Sequence, residues 1–190
     1  MKTAILIIAA GASRRLGQPK QLLNYKNTFL LNYIIQECKA GEIGDIYVVL
    51  GANQEQIKSK LSNDISIFIN DNWQKGMGNS IAFGMQNIIN KDYDSVIIAV
   101  GDQPFFSRTI LQSIIGKQSN TNSSIVISKY EKGRGTPCFF NENLFSELIQ
   151  LKGDIGAKPI IKKYKHQVEM IDFPKGNIDI DTIDDLKYLT

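Results

Sequence analysis

The segment Ala9-Ala10-Gly11-Ala12-Ser13-Arg14-Arg15-Leu16-Gly17-Gln18-Pro19-Lys20 follows directly on the apolar run Ala4-Ile5-Leu6-Ile7-Ile8. An apolar run that opens into glycines and cations reads as a buried strand ending in a loop that wraps an anion. Glycine lets backbone N–H groups approach a phosphate, and Arg15 and Lys20 add charge that a neutral loop lacks. Nucleotide chemistry follows, with a triphosphate on the loop. Two common phosphate motifs fail on spacing. G-x-G-x-x-G finds Ser13 and Leu16 where it needs glycine, and G-x-x-x-x-G-K-[ST] finds Gly17 one place late and followed by Gln18. The pattern that stands is G-x-S-x-R-x-G-x-x-K. A basic surface turn needs neither so long a segment nor two cations.

A second apolar run, Ser95-Val96-Ile97-Ile98-Ala99-Val100, leads into Gly101-Asp102-Gln103-Pro104. A hard cation such as Mg²⁺ takes one or two carboxylates together with phosphate oxygens and water, so Asp102 is the expected metal anchor. Helix capping is its alternative role, but Ser107, followed by Ile110, Leu111, Ile114 and Ile115, is the better cap. Near the C-terminus, Ile178-Asp179-Ile180-Asp181 alternates, which puts both carboxylates on one face of an extended segment. Thr182 and Asp185 are spaced as a capping box for a last helix, and Asp181 can assist it. Asp179 is therefore the candidate second metal carboxylate, with Asp181 as the alternative.

Gly76 and Ser80 lie in a polar stretch, residues 70–81, just before a helix whose apolar positions are Ile81, Met85, Ile88 and Ile89. They suit a nucleotide base and sugar, although such residues also make ordinary turns. Trp73 is either a stacking platform or a side chain packed beneath the loop. Gly133-Arg134-Gly135-Thr136-Pro137 and Gly153-Asp154-Ile155-Gly156-Ala157-Lys158 are suited to closing over an acceptor. Asp154 can instead cap the helix that follows, and Lys158 near a helix start opposes the macrodipole unless an anion sits close by.

These loops need a frame. Strands are expected at residues 3–9, 46–50, 65–69, 95–100, 124–128, 137–140 and 167–171, and helices at 29–40, 54–61, 80–90, 108–116, 142–150, 157–164 and 183–189. The alternation implies an α/β fold: three layers, α/β/α, Rossmann-like and doubly wound around a mostly parallel sheet of about seven strands. The strand after Gly135-Thr136-Pro137 breaks the alternation and is expected to be reversed near one edge. Ligands of such sheets bind at the carboxyl ends of the strands, which is where the loops above fall, apart from the 153–158 segment between two expected helices.

With 190 residues and 43% hydrophobic content, the chain is long enough for one good core, and a single domain spanning residues 1–190 is expected. A net charge of +3, scattered apart from Lys162-Lys163-Tyr164-Lys165-His166, which reads as a solvated helix end, suits anionic small molecules and not nucleic acid. Cys38 and Cys138 lack metal-ligand spacing; the first falls on a helix face with Leu31, Ile34 and Ile35, and the second reads as a core thiol. His166 is the one histidine, which disfavours Ser-His or Cys-His catalysis. With no signal pattern and no apolar run long enough to cross a bilayer, the expected location is cytoplasmic and the membrane is not an expected partner.

The motifs together, in this order, resemble the landmarks of the molybdenum cofactor cytidylyltransferases and the related molybdopterin-guanine dinucleotide synthases. The resemblance covers most of the chain. It implies a fold of the nucleotide-diphospho-sugar transferase type and transfer of CMP from CTP to the terminal phosphate of molybdopterin, with release of pyrophosphate. Carried over, Arg15, Lys20 and Asp102 become catalytic, and Ala9, Ala10, Gly11, Ala12, Ser13, Gly17, Gly76 and Ser80 bind the nucleotide. Gly135, Pro137, Asp154 and Lys158 hold the acceptor, and Asp102 with Asp179 holds Mg²⁺. Ala9-Ala10-Gly11 with Ser13 is similar to the cytidylyltransferase branch, and this resemblance selects CTP over GTP. A recipient molybdoenzyme is the further partner it implies. The other functions open at this point are guanylyl transfer to the same acceptor, nucleotidyl transfer to a sugar or polyol phosphate, and a non-catalytic cofactor carrier. Pro159, directly after Lys158, leads us to expect a helix that starts late or kinks, and Arg14 is expected on the surface.

Overall fold

The computed structural model describes residues 1–189. Its strands are β1 (Thr3–Ala9), the two-residue β2 (Asn24–Tyr25) and β3 (Thr28–Phe29), β4 (Gly44–Leu50), β5 (Ser66–Ile69), β6 (Ser95–Val100), β7 (Ile125–Lys129), β8 (Arg134–Asn141) and β9 (Val168–Asp172). The main sheet runs β5-β4-β1-β6-β8-β7-β9. β1 pairs in parallel with β4 and β6, so Ile5 lies between Ile46 and Ile97. It is buried along its whole length, as a strand must be with helices on both faces.

Alternation along β1 divides the core in two. Ile5, Ile7 and Ala9 pack with Leu30, Ile34 and Cys38 of α1 (Leu30–Gly41), Ile57 of α2 (Gln54–Lys58), and Leu111 and Ile114 of α4 (Arg108–Thr121). Ala4, Leu6 and Ile8 pack on the other face with Ile81 and Met85 of α3 (Met77–Ile88), Leu148 of α5 (Phe145–Leu148) and Ile160 of α6 (Lys158–Lys163). The three-layer α/β/α, Rossmann-like arrangement is thus present. Each fully buried Leu or Ile contributes about 1.5–3 kcal/mol, so β1 is firmly held in the core. Among the described residues, no helix is long and apolar enough to cross a membrane.

β8 is reversed, antiparallel to both β6 and β7. It lies inside the sheet rather than at its rim, because Phe139 and Phe140 on opposite faces are both fully buried. Only a short loop joins β7 to β8, which forces the antiparallel pairing. The expected helix at 142–150 is a 3-10 turn, Glu142–Leu144, followed by α5, and the last helix is 3-10 throughout, Ile183–Leu189. Ser107 occupies the position before α4 but makes no side-chain capping bond. Glu37 of α1 takes the Arg108 N–H instead, at 2.8 Å. Half of the expected capping box forms: Asp185 accepts from the Thr182 N–H at 2.7 Å, but the Thr182 hydroxyl donates to the same carboxylate.

Candidate active site

The first loop is shaped by two side chains. Ser13, at φ 52°, accepts the Leu16 and Gly17 N–H groups through its carbonyl, both at 3.1 Å, and its hydroxyl accepts the Lys20 N–H at 3.1 Å. The buried Gln21 amide donates to the carbonyls of Ala9 (2.9 Å) and Gly11 (3.2 Å). Those bonds occupy carbonyl oxygens that would otherwise repel an anion. β1 does not open straight into a helix: a 3-10 turn, Lys20–Leu22, and the β2–β3 hairpin come before α1. The loop's own N–H groups and cations must therefore supply the attraction that a helix start gives in other phosphate sites.

Lys20 is the hub of the site. Its ammonium lies 2.5 Å from Asp102 Oδ2 and 2.7 Å from Asp181 Oδ1. Burial works against that charge, but the two carboxylates outweigh it and hold the Lys20 pKa above its ordinary value. Asp181 also takes the Arg15 guanidinium at 2.6 Å. Burial raises its pKa, yet the two cations win and keep its carboxyl below the usual range. Asp102 Oδ1 is buried without a hydrogen-bond partner, and burial together with the Asp102 charge pushes Asp179 up to about 7. An orphaned carboxylate oxygen beside a second, repelled carboxyl suits a hard divalent cation that completes its shell with phosphate oxygens and water. Among the described residues, no group of three or more His, Cys, Asp or Glu side chains is arranged to hold a metal unaided.

A stability prediction follows from Asp179. Its folded pKa exceeds the unfolded 3.8, so the stabilisation is full below the unfolded value and is lost as pH rises toward 7. In metal-free buffer, Asp179→Asn should match the wild type near pH 4 and be the more stable protein at pH 8. Because Asp179 is open to solvent, water screens the repulsion, and we expect a gain of about 1 kcal/mol, or roughly 2–4 °C in Tm. Thermal melts across that range test it; equal Tm at pH 8 would contradict the inferred repulsion.

Two cavities meet at Asp102. The larger, about 540 Å³, is lined by Ala9, Ala10, Gly11, Arg14 and Lys20 of the first loop, by Trp73, Gly76, Met77 and Ser80, and by Asp102 and Asp154. The smaller, about 240 Å³, is lined by Asp102, Gln103, Tyr130, Arg134, Gly135, Asp154, Lys158 and Asp179 among others. Ala12, Ser13 and Gly17 shape the first loop without lining either cavity. Arg15 sits at the rim on Asp181, whereas Arg14, expected to be merely a surface residue, is exposed and also lines the larger cavity. Pro137 is buried beneath the smaller cavity, its carbonyl held by the Ser128 hydroxyl at 2.8 Å.

The loop before α3 and the loop before α6 are joined. Gly78 N–H donates to the Gly153 carbonyl at 2.8 Å, and Met77 N–H donates to Asp154 Oδ1 at 3.2 Å. Asp154 thus caps α3 and not the helix that follows it in sequence. Gly76, at φ 99°, has room only for a hydrogen, since a Cβ would lie 2.6 Å from the Gly153 carbonyl carbon. Trp73 combines its two expected roles, packing on the core from above Gly51 while lining the larger cavity. Lys158 begins α6 with Pro159 beside it. Proline in a first turn loses no needed N–H, so the helix neither starts late nor kinks.

The family model described as MobA-like NTP transferase domain matches residues 5–168. The chain belongs to the MobA-like NTP transferase family. It is thereby a nucleotidyltransferase by family, and nucleotidyltransferases of this kind commonly use divalent metals. The nicotine blue oxidoreductase of Paenarthrobacter nicotinovorans is 27% identical over 194 residues, covering 97% of this chain and 94% of that protein. Among solved structures, Rv0371c of Mycobacterium tuberculosis H37Rv superposes with a TM-score of 0.86 at 25% identity, covering 99% of this chain and 96% of that one. The manganese complex of Rv0371c shares the fold at a TM-score of 0.82 and 23% identity, covering 100% and 98%. In this MobA-like chain the motif residues lie at the carboxyl ends of β1 and β6, around the cavities described above. Three contributors were not expected from sequence: Gln21, Arg14 and Tyr130. Gln21 directly follows Lys20, so its place beside the motif was the available signal.

Proposed function

We propose that this chain, acting as one nucleotidyltransferase domain, transfers CMP from CTP to the terminal phosphate of a molybdopterin-type acceptor and releases pyrophosphate. The observation that carries the proposal is that Asp102 lines both cavities while its second oxygen is paired with Lys20. A nucleotide in the larger cavity and an acceptor phosphate in the smaller would meet at that carboxylate. The acceptor oxygen attacks the α-phosphorus, the bond from that phosphorus to the bridging β-oxygen breaks, and the electron pair leaves with pyrophosphate. Lys20 and Arg15 neutralise the charge that develops on the leaving group, with Arg14 close by. Mg²⁺ held by Asp102 and Asp179 would supply positive charge to the phosphate oxygens. No general base is required, because a phosphate acceptor is already ionised at neutral pH. Gly135, Asp154, Arg134 and Lys158 face the acceptor side, and the two cations suit its phosphate.

The choice of CTP rests on Ala9-Ala10-Gly11 with Ser13, and the choice of acceptor on the order of the motifs. Delivery to a recipient molybdoenzyme in the cytoplasm completes the proposal. The experiment is pyrophosphate release with Mg²⁺, molybdenum-loaded molybdopterin and each of CTP, GTP, ATP and UTP, with a control lacking acceptor. Acceptor-dependent release with CTP is expected. Preference for GTP would move the chain to guanylyl transfer. Silence with all four would overturn the molybdopterin acceptor and leave sugar or polyol phosphates to be assayed next.

A further inference from the structure

The second carboxylate of the site stands on a segment that has no regular secondary structure of its own. Residues 173–180 leave β9 through a 3-10 turn, Pro174–Asn177, and reach Asp179 through the extended Ile178. Such a segment places a carboxyl reproducibly only if other elements grip it. The grip here comes mainly from Gln103 and Tyr130. Gln103, 2% exposed, donates its amide to the Gly176 carbonyl at 2.6 Å and to the Tyr130 hydroxyl at 3.2 Å. Its amide oxygen is buried without a hydrogen-bond partner. The Tyr130 hydroxyl in turn donates to the Thr136 carbonyl. The Tyr130 ring packs against Gly176, where a Cβ would come within 2.3 Å of it, and edge-on to Phe173 at 6.0 Å between centroids. Backbone bonds close the clasp, from Phe173 N–H to the Lys129 carbonyl (2.8 Å) and from Ile180 N–H to the Asp102 carbonyl (3.0 Å).

We propose that Tyr130 and Gln103 are positioning residues that clamp the 173–180 segment and so set the Asp179 carboxyl against Asp102. The proposal rests on the nucleotidyl-transfer function for its kinetic consequence and on geometry alone for its structural one. Tyr130 reaches across from the β7–β8 loop, so three separate connections, those after β6, β7 and β9, are locked into one unit. Partners that orient metal-binding carboxylates from behind act through geometry, and their loss weakens metal affinity rather than nucleotide affinity.

The test uses Tyr130→Phe, which keeps the ring and removes only the hydroxyl, and Gln103→Leu, separately and together. In metal-free protein, amide hydrogen exchange at Gly176 and Ile180 should accelerate about tenfold in Tyr130→Phe while the β1 amides of Ile5 to Ile8 stay unchanged. Mn²⁺ binding followed by electron paramagnetic resonance should weaken about tenfold. In the transfer assay kcat should fall by a similar factor with KM for the nucleotide nearly unmoved, and the double variant should be little worse than either single one. Unchanged exchange at Ile180, or unchanged Mn²⁺ affinity, would overturn the proposal even if Gln103→Leu failed to fold. A wild-type protein inactive in transfer would instead defeat the functional assignment, and the exchange and Mn²⁺ measurements would still decide the clamp.

Discussion

Asp102→Asn should leave the protein folded and reduce pyrophosphate release by about two to three decades, the loss of roughly 3–4 kcal/mol expected when one preorganised charge contact is removed from a reacting centre. Asparagine has nearly the same shape, so the β6 exit and the Gly101 N–H bond to Ile8 O at 3.0 Å are retained. What changes is charge. The buried, unpartnered Oδ1 ceases to be half of an anion, and Lys20 loses the nearer of its two carboxylates. Asp179 meanwhile loses the neighbour whose charge repels it, so it ionises more readily and a single carboxylate is left for a cation. The variant should therefore melt within a few degrees of the wild type and bind Mn²⁺ weakly. Steady-state rates with a thermal melt on the same preparation test this. Turnover within tenfold of wild type would remove Asp102 from the chemistry.

How much of this was legible in the sequence depends on the kind of physics involved. β1 and β6 lie where their continuous apolar runs put them, since burial on both faces is written directly into composition. α1 was legible for the same reason, through the helical spacing of Leu30, Ile34 and Cys38. The β2–β3 hairpin was not, because its turn is Lys26-Asn27, both at positive φ, without the glycine that usually signals such a turn. The start of α4 at Arg108 was legible but its cap was not: Ser107 is an ideal capping type, yet the bond that forms reaches Glu37 on another helix, a long-range contact that no local pattern encodes. β8 was legible as reversed but not as interior, because its place depends on where Phe139 and Phe140 find room.

The candidate site divides in the same way. Residue types announced the loop, Asp102 and the Asp179-Ile180-Asp181 alternation. Partner choice did not show. That Asp181 pairs with both Arg15 and Lys20, that Arg14 lines the larger cavity, and that Asp154 caps α3 all depend on side-chain directions fixed by contacts across the molecule. Tyr130 carried no signal at all, because a tyrosine in a polar hairpin looks like any other until Gly176 is found beneath its ring.

Lys20→Met should damage both activity and stability, and the pattern of rescue distinguishes the causes. In the free protein Lys20 is the cation shared by Asp102 and Asp181, with side-chain exposures of 13%, 18% and 38%. Deleting it leaves carboxylates facing one another in a partly desolvated cleft, where an unpaired charge costs more than the lost pair contributed. Because water still reaches the cluster, the expected loss is about 2 kcal/mol, or roughly 4–8 °C in Tm. Methionine fills the volume of the lysine stem, so packing is not the cause. Millimolar Mg²⁺ should restore much of the Tm by neutralising the carboxylates, while the rate should remain about two to three decades low because nothing replaces the ammonium opposite the leaving pyrophosphate. Lys20→Arg should recover stability better than rate, since a planar guanidinium can pair with a carboxylate but does not reproduce a compact point charge between two of them. Melts with and without Mg²⁺, set beside kcat/KM for the nucleotide, test the separation. If Mg²⁺ restored the rate together with the Tm, Lys20 would be acting only to hold the two carboxylates together, and the charge on the leaving group would have to be met by Arg15 and Arg14 alone.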